Sequence, residues 1–254
     1  MSLLIEQLTI RYGARVVVQP TTLRLQAGTL TALVGPNGAG KSSLLKAIAG
    51  LIEARGSISW AGGAVSAGRE RAKIMAYLPQ QAQAHWPVSV RDLVALGRLP
   101  HRRFGVPLSS VDEDVIERSM QQAEVSHLAE RPIHELSGGE QARVYLARAL
   151  AVEAPVLLVD EPVASLDPYH QLQIMAVLEA YAANGGLVLA VLHDLTLAAR
   201  YCNQMVLLDE GAVVEQGSPE RVLRDELLRE RYHIEAYLAE HQDQAVIVPW
   251  RRLG

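Results

Sequence analysis

The chain has 254 residues, 49% of them hydrophobic and 20% charged, which is enough to bury a large α/β core or a core with a subdomain. A net charge of −4 lacks the basic surplus of nucleic-acid binders, and the one cysteine, Cys202, excludes an internal disulfide and fits a reducing compartment. The first residues (MSLLIEQLTIRYG) do not read as a secretory signal, and no apolar run approaches the ~20 residues that span a bilayer.

Residues 3–11 (LLIEQLTIR) alternate apolar and polar side chains, and residues 16–18 and 23–26 are short and β-prone. Together they predict strands of an antiparallel or mixed sheet. Residues 30–34 (LTALV) form an apolar run that ends in GPNGAGKSS, after which Leu44, Leu45, Ile48 and Leu51 recur at helical spacing. Strand, glycine loop and helix, in that order, let successive backbone N–H groups curl around a phosphate at the positive end of a helix. In the pattern G-x-x-x-x-G-K-S, Lys41 is predicted to reach the β- and γ-phosphates, and the Ser42 hydroxyl to ligate Mg²⁺.

From about residue 82 to residue 151 the texture changes. Helical patterns at 90–96, 111–123 and 139–150, with almost no strand signal, predict a helical subdomain. Inside it, Leu136-Ser137-Gly138-Gly139-Glu140-Gln141 sets a serine and two glycines before a helix. This is a second anion-binding N-terminus without a lysine, suited to completing a phosphate pocket on another copy of the chain. The α/β alternation returns at Pro155. Residues 156–159 (VLLV) fit a strand covered on both faces, ending in Asp160 and Glu161. With the glycine loop upstream, Asp160 is expected to hold Mg²⁺ opposite Ser42, and Glu161 to orient or deprotonate an attacking water. A helix at 168–183, a strand at 187–192 and a helix at 195–202 follow, then a hairpin of 205–208 with 212–215. Ser218-Pro219 opens a helix in the order N-cap, then proline. Beyond His233 the pattern fades, apart from a strand signal at 245–248.

LSGGEQ matches the signature of ATP-binding cassette (ABC) proteins, and over about residues 3–233 the chain resembles that family. Other family motifs stand in the family's order. Tyr12 resembles the aromatic residue that stacks on adenine. Gln80, in YLPQ, resembles the glutamine that senses Mg²⁺ and nucleotide and faces the transmembrane subunit, with Gln81 one register further on. Ser165-Leu166-Asp167 resembles the loop that crosses the dimer interface, and His193 resembles the histidine that contacts the γ-phosphate. Val163 stands where threonine or serine often follows Glu-Pro.

The resemblance implies one cassette over residues 1–254. Its expected fold is α/β, a RecA-like P-loop NTPase core with an N-terminal antiparallel β subdomain and an inserted α-helical subdomain at about 82–151. It implies two copies closing on two ATP molecules. One copy lines each nucleotide with Tyr12, Gly35, Pro36, Asn37, Gly38, Ala39, Gly40, Lys41, Ser42, Ser43 and Gln80, and the other with Ser137, Gly138, Gly139 and Glu140. Mg²⁺ is implied at Ser42, Gln80 and Asp160, and catalysis by Lys41, Glu161 and His193.

A single cassette without a membrane span resembles bacterial importer subunits, whose pores are separate proteins. Residues 90–105 (VRDLVALGRLPHRRFG) and 218–234 (SPERVLRDELLRERYHI) resemble the ATPases for ferric siderophores, haem and cobalamin. The partners so implied are integral membrane permease subunits and, indirectly, an extracytoplasmic substrate-binding protein. The place implied is the cytoplasmic face of the inner membrane, bound peripherally. Zinc, manganese or an exported cargo is an alternative, as is a non-transport ABC ATPase acting on ribosomes or DNA. Against the last stand the single cassette and the lack of sustained heptads. Arg98, Arg102 and Arg103 are expected to be solvated or at a subunit interface, and the histidines show no metal-ligand spacing.

Overall fold

The computed structural model describes residues 1–80, 87–103, 105–242 and 244–253. Along the chain, β1 (Ser2–Tyr12) and β2 (Arg15–Gln26) form a long hairpin, and β3 (Leu30–Val34) feeds the glycine loop and α1 (Lys41–Ala49). Next come β4 (Arg55–Trp60), β5 (Gly63–Ala64), α2 (Arg69–Ile74) and β6 (Met75–Leu78). Helices α3 (Val90–Ala95), α4 (Ser110–Gln122) and α5 (Gly138–Leu150) follow, and then β7 (Val156–Asp160), α6 (Pro168–Ala183), β8 (Leu187–Val191) and α7 (Leu195–Tyr201). The chain ends with β9 (Gln204–Asp209), β10 (Ala212–Gly217), α8 (Pro219–Val222), α9 (Asp225–Tyr232), β11 (Ile234–His241) and β12 (Gln244–Arg252).

Six strands form the central sheet in the order β10-β9-β3-β8-β7-β6, all parallel except β10. The inner strands β7 (VLLVD) and β8 (LVLAV) read as near-continuous apolar runs because both faces are covered. Leu33, Leu158, Leu189 and Val206 point toward α1 and the antiparallel sheet β2-β1-β4-β5. Ala32, Leu157, Ala190 and Met205 point the other way, into a core shared with α3 to α7. In β1 a bulge between Ile5 and Leu8 restarts the alternation, so Leu3, Ile5, Leu8 and Ile10 all face the core.

Among the described residues between β6 and β7 there is no strand, only the isolated bridge Ser89–Pro132. Gln81 and positions 82–86, where the helical subdomain was expected to begin, lie outside the described residues. Strands β4, β5 and β6 were not anticipated. Nor was most of the β11–β12 hairpin, of which the strand signal at 245–248 is one part. No helix among the described residues is long and apolar enough to cross a membrane.

Candidate active site

The carboxyl ends of four adjacent parallel strands, β3, β8, β7 and β6, bring the chemistry together, as open α/β sheets do at their ligand crevices. The loop after β3 is shaped by its glycines. A Cβ on Gly35 would lie 1.9 Å from the Leu208 carbonyl oxygen, so the loop lies directly on β9. Gly40, at φ 101°, is the N-cap of α1 and supplies no side-chain cap, which leaves the first N–H groups of the helix free for an anion. The β9–β10 turn braces the loop, with Gly211 N–H donating to the Ala39 carbonyl at 3.1 Å.

Lys41 is buried and folds back over the loop, donating to the carbonyls of Gly35 at 2.7 Å and Pro36 at 2.8 Å. Burial lowers its pKa, while the charges of Glu161 and Asp160 push it up. Ser42 donates to Asp160 Oδ1 at 2.8 Å. Asp160 is 2% exposed and Glu161 follows it at φ +51°, a left-handed turn that costs a non-glycine residue about 1–2 kcal/mol. That turn aims Glu161 between two partners, Gln80 Nε2 at 2.6 Å and His193 Nε2 at 2.7 Å. A hydroxyl and a buried carboxylate form a hard-oxygen pair that fits Mg²⁺ better than any softer metal. Tyr12 is 54% exposed at the tip of the β1–β2 hairpin, whose Val17 and Val18 touch Gly40.

The remaining expected residues lie apart from this cluster. Ser137 and Gly138 are exposed at the start of α5. Ser137 and Glu140 form a capping box: Ser137 N–H and Oγ both donate to Glu140 Oε2 at 2.8 Å, and Glu140 N–H donates to Ser137 Oγ at 3.3 Å. These bonds hold Glu140 below the usual carboxylate range. Asp167 caps α6, with Ser165 exposed at φ +60° and Leu166 partly buried.

The sequence profile of ABC transporters matches residues 18–164, more than half of the chain. The chain belongs to the ABC transporter family. The hemin import ATP-binding protein of Pseudomonas fluorescens is 40% identical over 254 residues, covering 94% of this chain and 96% of that protein. The iron(3+)-hydroxamate import ATP-binding protein of Bacillus subtilis is 37% identical over 239 residues, covering 92% and 89% respectively. Among solved structures, a metal-chelate type ABC transporter in an inward-facing conformation aligns with a TM-score of 0.85 at 25% identity, covering 98% of this chain and 97% of that one.

This ABC ATPase contains contacts that no motif announced. Tyr77, on β6, donates to Asp160 Oδ2 at 3.0 Å, and burial followed by the Asp160 charge pushes its hydroxyl pKa well above the usual range. Arg98 overturns an expectation. Rather than being solvated or at an interface, it is 5% exposed, donating to Asp112 at 2.9 Å, Glu153 at 3.0 Å and the Ala151 carbonyl at 2.8 Å. A planar guanidinium can be buried when its fork finds that many acceptors. Gly97 beside it leaves no room for a Cβ, which would sit 2.3 Å from the Arg148 carbonyl oxygen. Only Arg103 of the three arginines is exposed.

Proposed function

We propose that this chain is the ATP-hydrolysing subunit of an importer for an iron chelate, haem or cobalamin, working as two copies beneath separate permease subunits at the cytoplasmic face of a membrane. The observation that carries the reading is the convergence of Lys41, Ser42, Asp160, Glu161, Gln80 and His193 at one end of the sheet. The choice of cargo is supported by the relatives named for hemin and iron(3+)-hydroxamate import.

Each residue has a task in that reading. Gly35 to Ser43 and the N-terminus of α1 cradle the β- and γ-phosphates. Lys41 leaves its two carbonyls for phosphate oxygens, and Tyr12 stacks on the adenine. Ser42, Asp160 and Gln80 hold Mg²⁺, which supplies charge neutralisation across the phosphates when bound. Glu161 accepts the proton of the attacking water as its oxygen bonds to the γ-phosphorus and the bond to the ADP oxygen breaks. His193 and Gln80 hold Glu161 in place from either side and report on the γ-phosphate. The second copy supplies Ser137, Gly138, Gly139 and Glu140. Ser137 must give up Glu140 to donate to a phosphate, so closure exchanges an internal cap for an intermolecular one. Ser165, Leu166 and Asp167 line the same dimer interface.

Cellular uptake of labelled haem, ferric siderophore and cobalamin, compared between wild type and Glu161→Gln, tests the reading. Loss of uptake of one of them in the variant supports it. Unchanged uptake of all three sinks the choice of cargo.

A further inference from the structure

Two different hydroxyls hold the two oxygens of Asp160. Ser42 donates to Oδ1 at 2.8 Å and Tyr77 to Oδ2 at 3.0 Å. An ionised carboxylate only accepts, so the direction of both bonds is fixed. Tyr77 comes from β6, the strand beside β7, where it pairs with Leu158 in parallel register. Its ring packs among the residues on the α1 side of the sheet, the side that Leu158 also faces. A phenylalanine ring would fill that space equally well; only the hydroxyl reaches Asp160. Three residues further on, Gln80 holds Glu161, so the end of β6 steers both acids of the site.

We propose that Tyr77 is a positioning residue for Asp160, pinning Oδ2 so that Oδ1 stays turned toward Ser42 and open to a cation. The proposal rests on Ser42 and Asp160 being the cation ligands, as argued above. The terminal torsion of an aspartate is broad and roughly two-fold, so a carboxylate without this partner swings between orientations. Outer-shell hydrogen bonds to metal-ligating groups commonly set affinity.

The test is Tyr77→Phe in the full chain, which keeps the ring and removes one oxygen. Mn²⁺ binding is followed by electron paramagnetic resonance with a non-hydrolysable ATP analogue, and ATP turnover is followed against free Mg²⁺. We expect Mn²⁺ affinity to fall by about tenfold and the Mg²⁺ needed for half-maximal turnover to rise by about as much. Nucleotide affinity in EDTA should stay at the wild-type value, and the melting temperature should fall by only the few degrees of one lost hydrogen bond to a buried carboxylate. An unchanged cation dependence overturns the proposal, and so does an equal loss of turnover at every Mg²⁺ concentration. A drop in melting temperature or in metal-free nucleotide affinity large enough to account for the loss would make the hydroxyl merely structural and overturn it as well. Glu161→Gln run alongside separates the two readings. If that variant still hydrolyses ATP, the assignment of the acids fails. If it is inactive while Tyr77→Phe has a normal cation dependence, only the role of Tyr77 fails.

Discussion

The His170 ring fills the space that a side chain at position 139 would need: a Cβ there would lie 2.6 Å from Cδ2 and 2.7 Å from Cγ. His170 is not free to yield. Its ring Nδ1 is 2.8 Å from Asp167 Oδ2, and its backbone N–H donates to Asp167 Oδ1 at 3.0 Å. The first turns of α6 and α5 therefore lie against each other inside one chain. Gly139 meets two demands, room for His170 in its own chain and close approach to a phosphate in the proposed dimer.

Gly139→Ala separates those demands. The single substitution should destabilise the fold by about 1–3 kcal/mol through overpacking and reduce turnover at least tenfold. Nucleotide binding to the isolated chain should persist, because the loop at Gly35–Ser43 is untouched. In the double variant with His170→Ala, the melting temperature should recover while turnover does not. Recovery of turnover in the double variant would assign Gly139 to internal packing alone.

Lys41→Ala should lose nucleotide affinity by at least about tenfold, the scale of a charge-assisted hydrogen bond, as measured by titration with a fluorescent ATP analogue. The buried Gly35 carbonyl and the part-buried Pro36 carbonyl lose their donor as well, and a buried acceptor left without a partner costs stability. The melting temperature without nucleotide should therefore fall by a few degrees at most, while nucleotide affinity falls by the larger factor. Affinity at wild-type level would remove Lys41 from the phosphates.

How far these features were legible depends on where their partners lie. The strand runs LTALV and VLLVD were readable because burial on both faces leaves a continuous apolar signature. Lys41, Ser42, Gln80, Asp160, Glu161 and His193 were readable as motifs, and the fold brings them together. Strand β6 was not, since four residues (MAYL) carry too little periodicity. The Tyr77–Asp160 bond spans 83 positions and exists only because β6 lies beside β7. Arg98 was misread for the same reason, its acceptors standing at positions 112, 151 and 153. The β11–β12 hairpin buries few side chains and exposes Tyr237 and Trp250, so its alternation never marks out an inside.

Arg98→Ala should destabilise the protein by about 3 kcal/mol in urea unfolding, because Asp112 is left buried without its cation. Arg98→Lys should recover only part of this, since one ammonium cannot reproduce a fork that reaches three acceptors.

Acid should act through the same cluster. The Ser109 hydroxyl first, then Arg98, against an opposing cost of burial, hold Asp112 at about 2 instead of 3.8. A depressed carboxylate pKa contributes stability that is fully present above the ordinary value and lost as pH falls toward 2. Melting temperature measured across that window should fall more steeply in wild type than in Asp112→Asn, which has no proton to take up. Parallel curves would mean that Asp112 does not contribute.

Thr196 joins the C-terminal hairpin to α7 through a single hydroxyl. It donates to the Ile247 carbonyl at 2.8 Å and accepts from the Ile247 N–H at 3.0 Å, standing in for a neighbouring strand. A two-stranded hairpin alone is marginal in water, so this clamp and the buried Ile247 side chain carry much of its stability. Thr196→Val keeps the shape and leaves both Ile247 groups unpaired, at a cost of about 1–3 kcal/mol. Amide exchange across β12 should accelerate by about tenfold or more, while β7 stays protected. Helix α7 begins two residues after His193, so a loosened hairpin has a short path to the site. His193 is nevertheless held from the other side by Glu161 at 2.7 Å, and that bond does not involve the hairpin. ATP turnover should accordingly stay within about twofold of wild type, the range of a surface change of a few tenths of a kcal/mol. A parallel loss of turnover would instead make the hairpin part of the mechanism that positions His193.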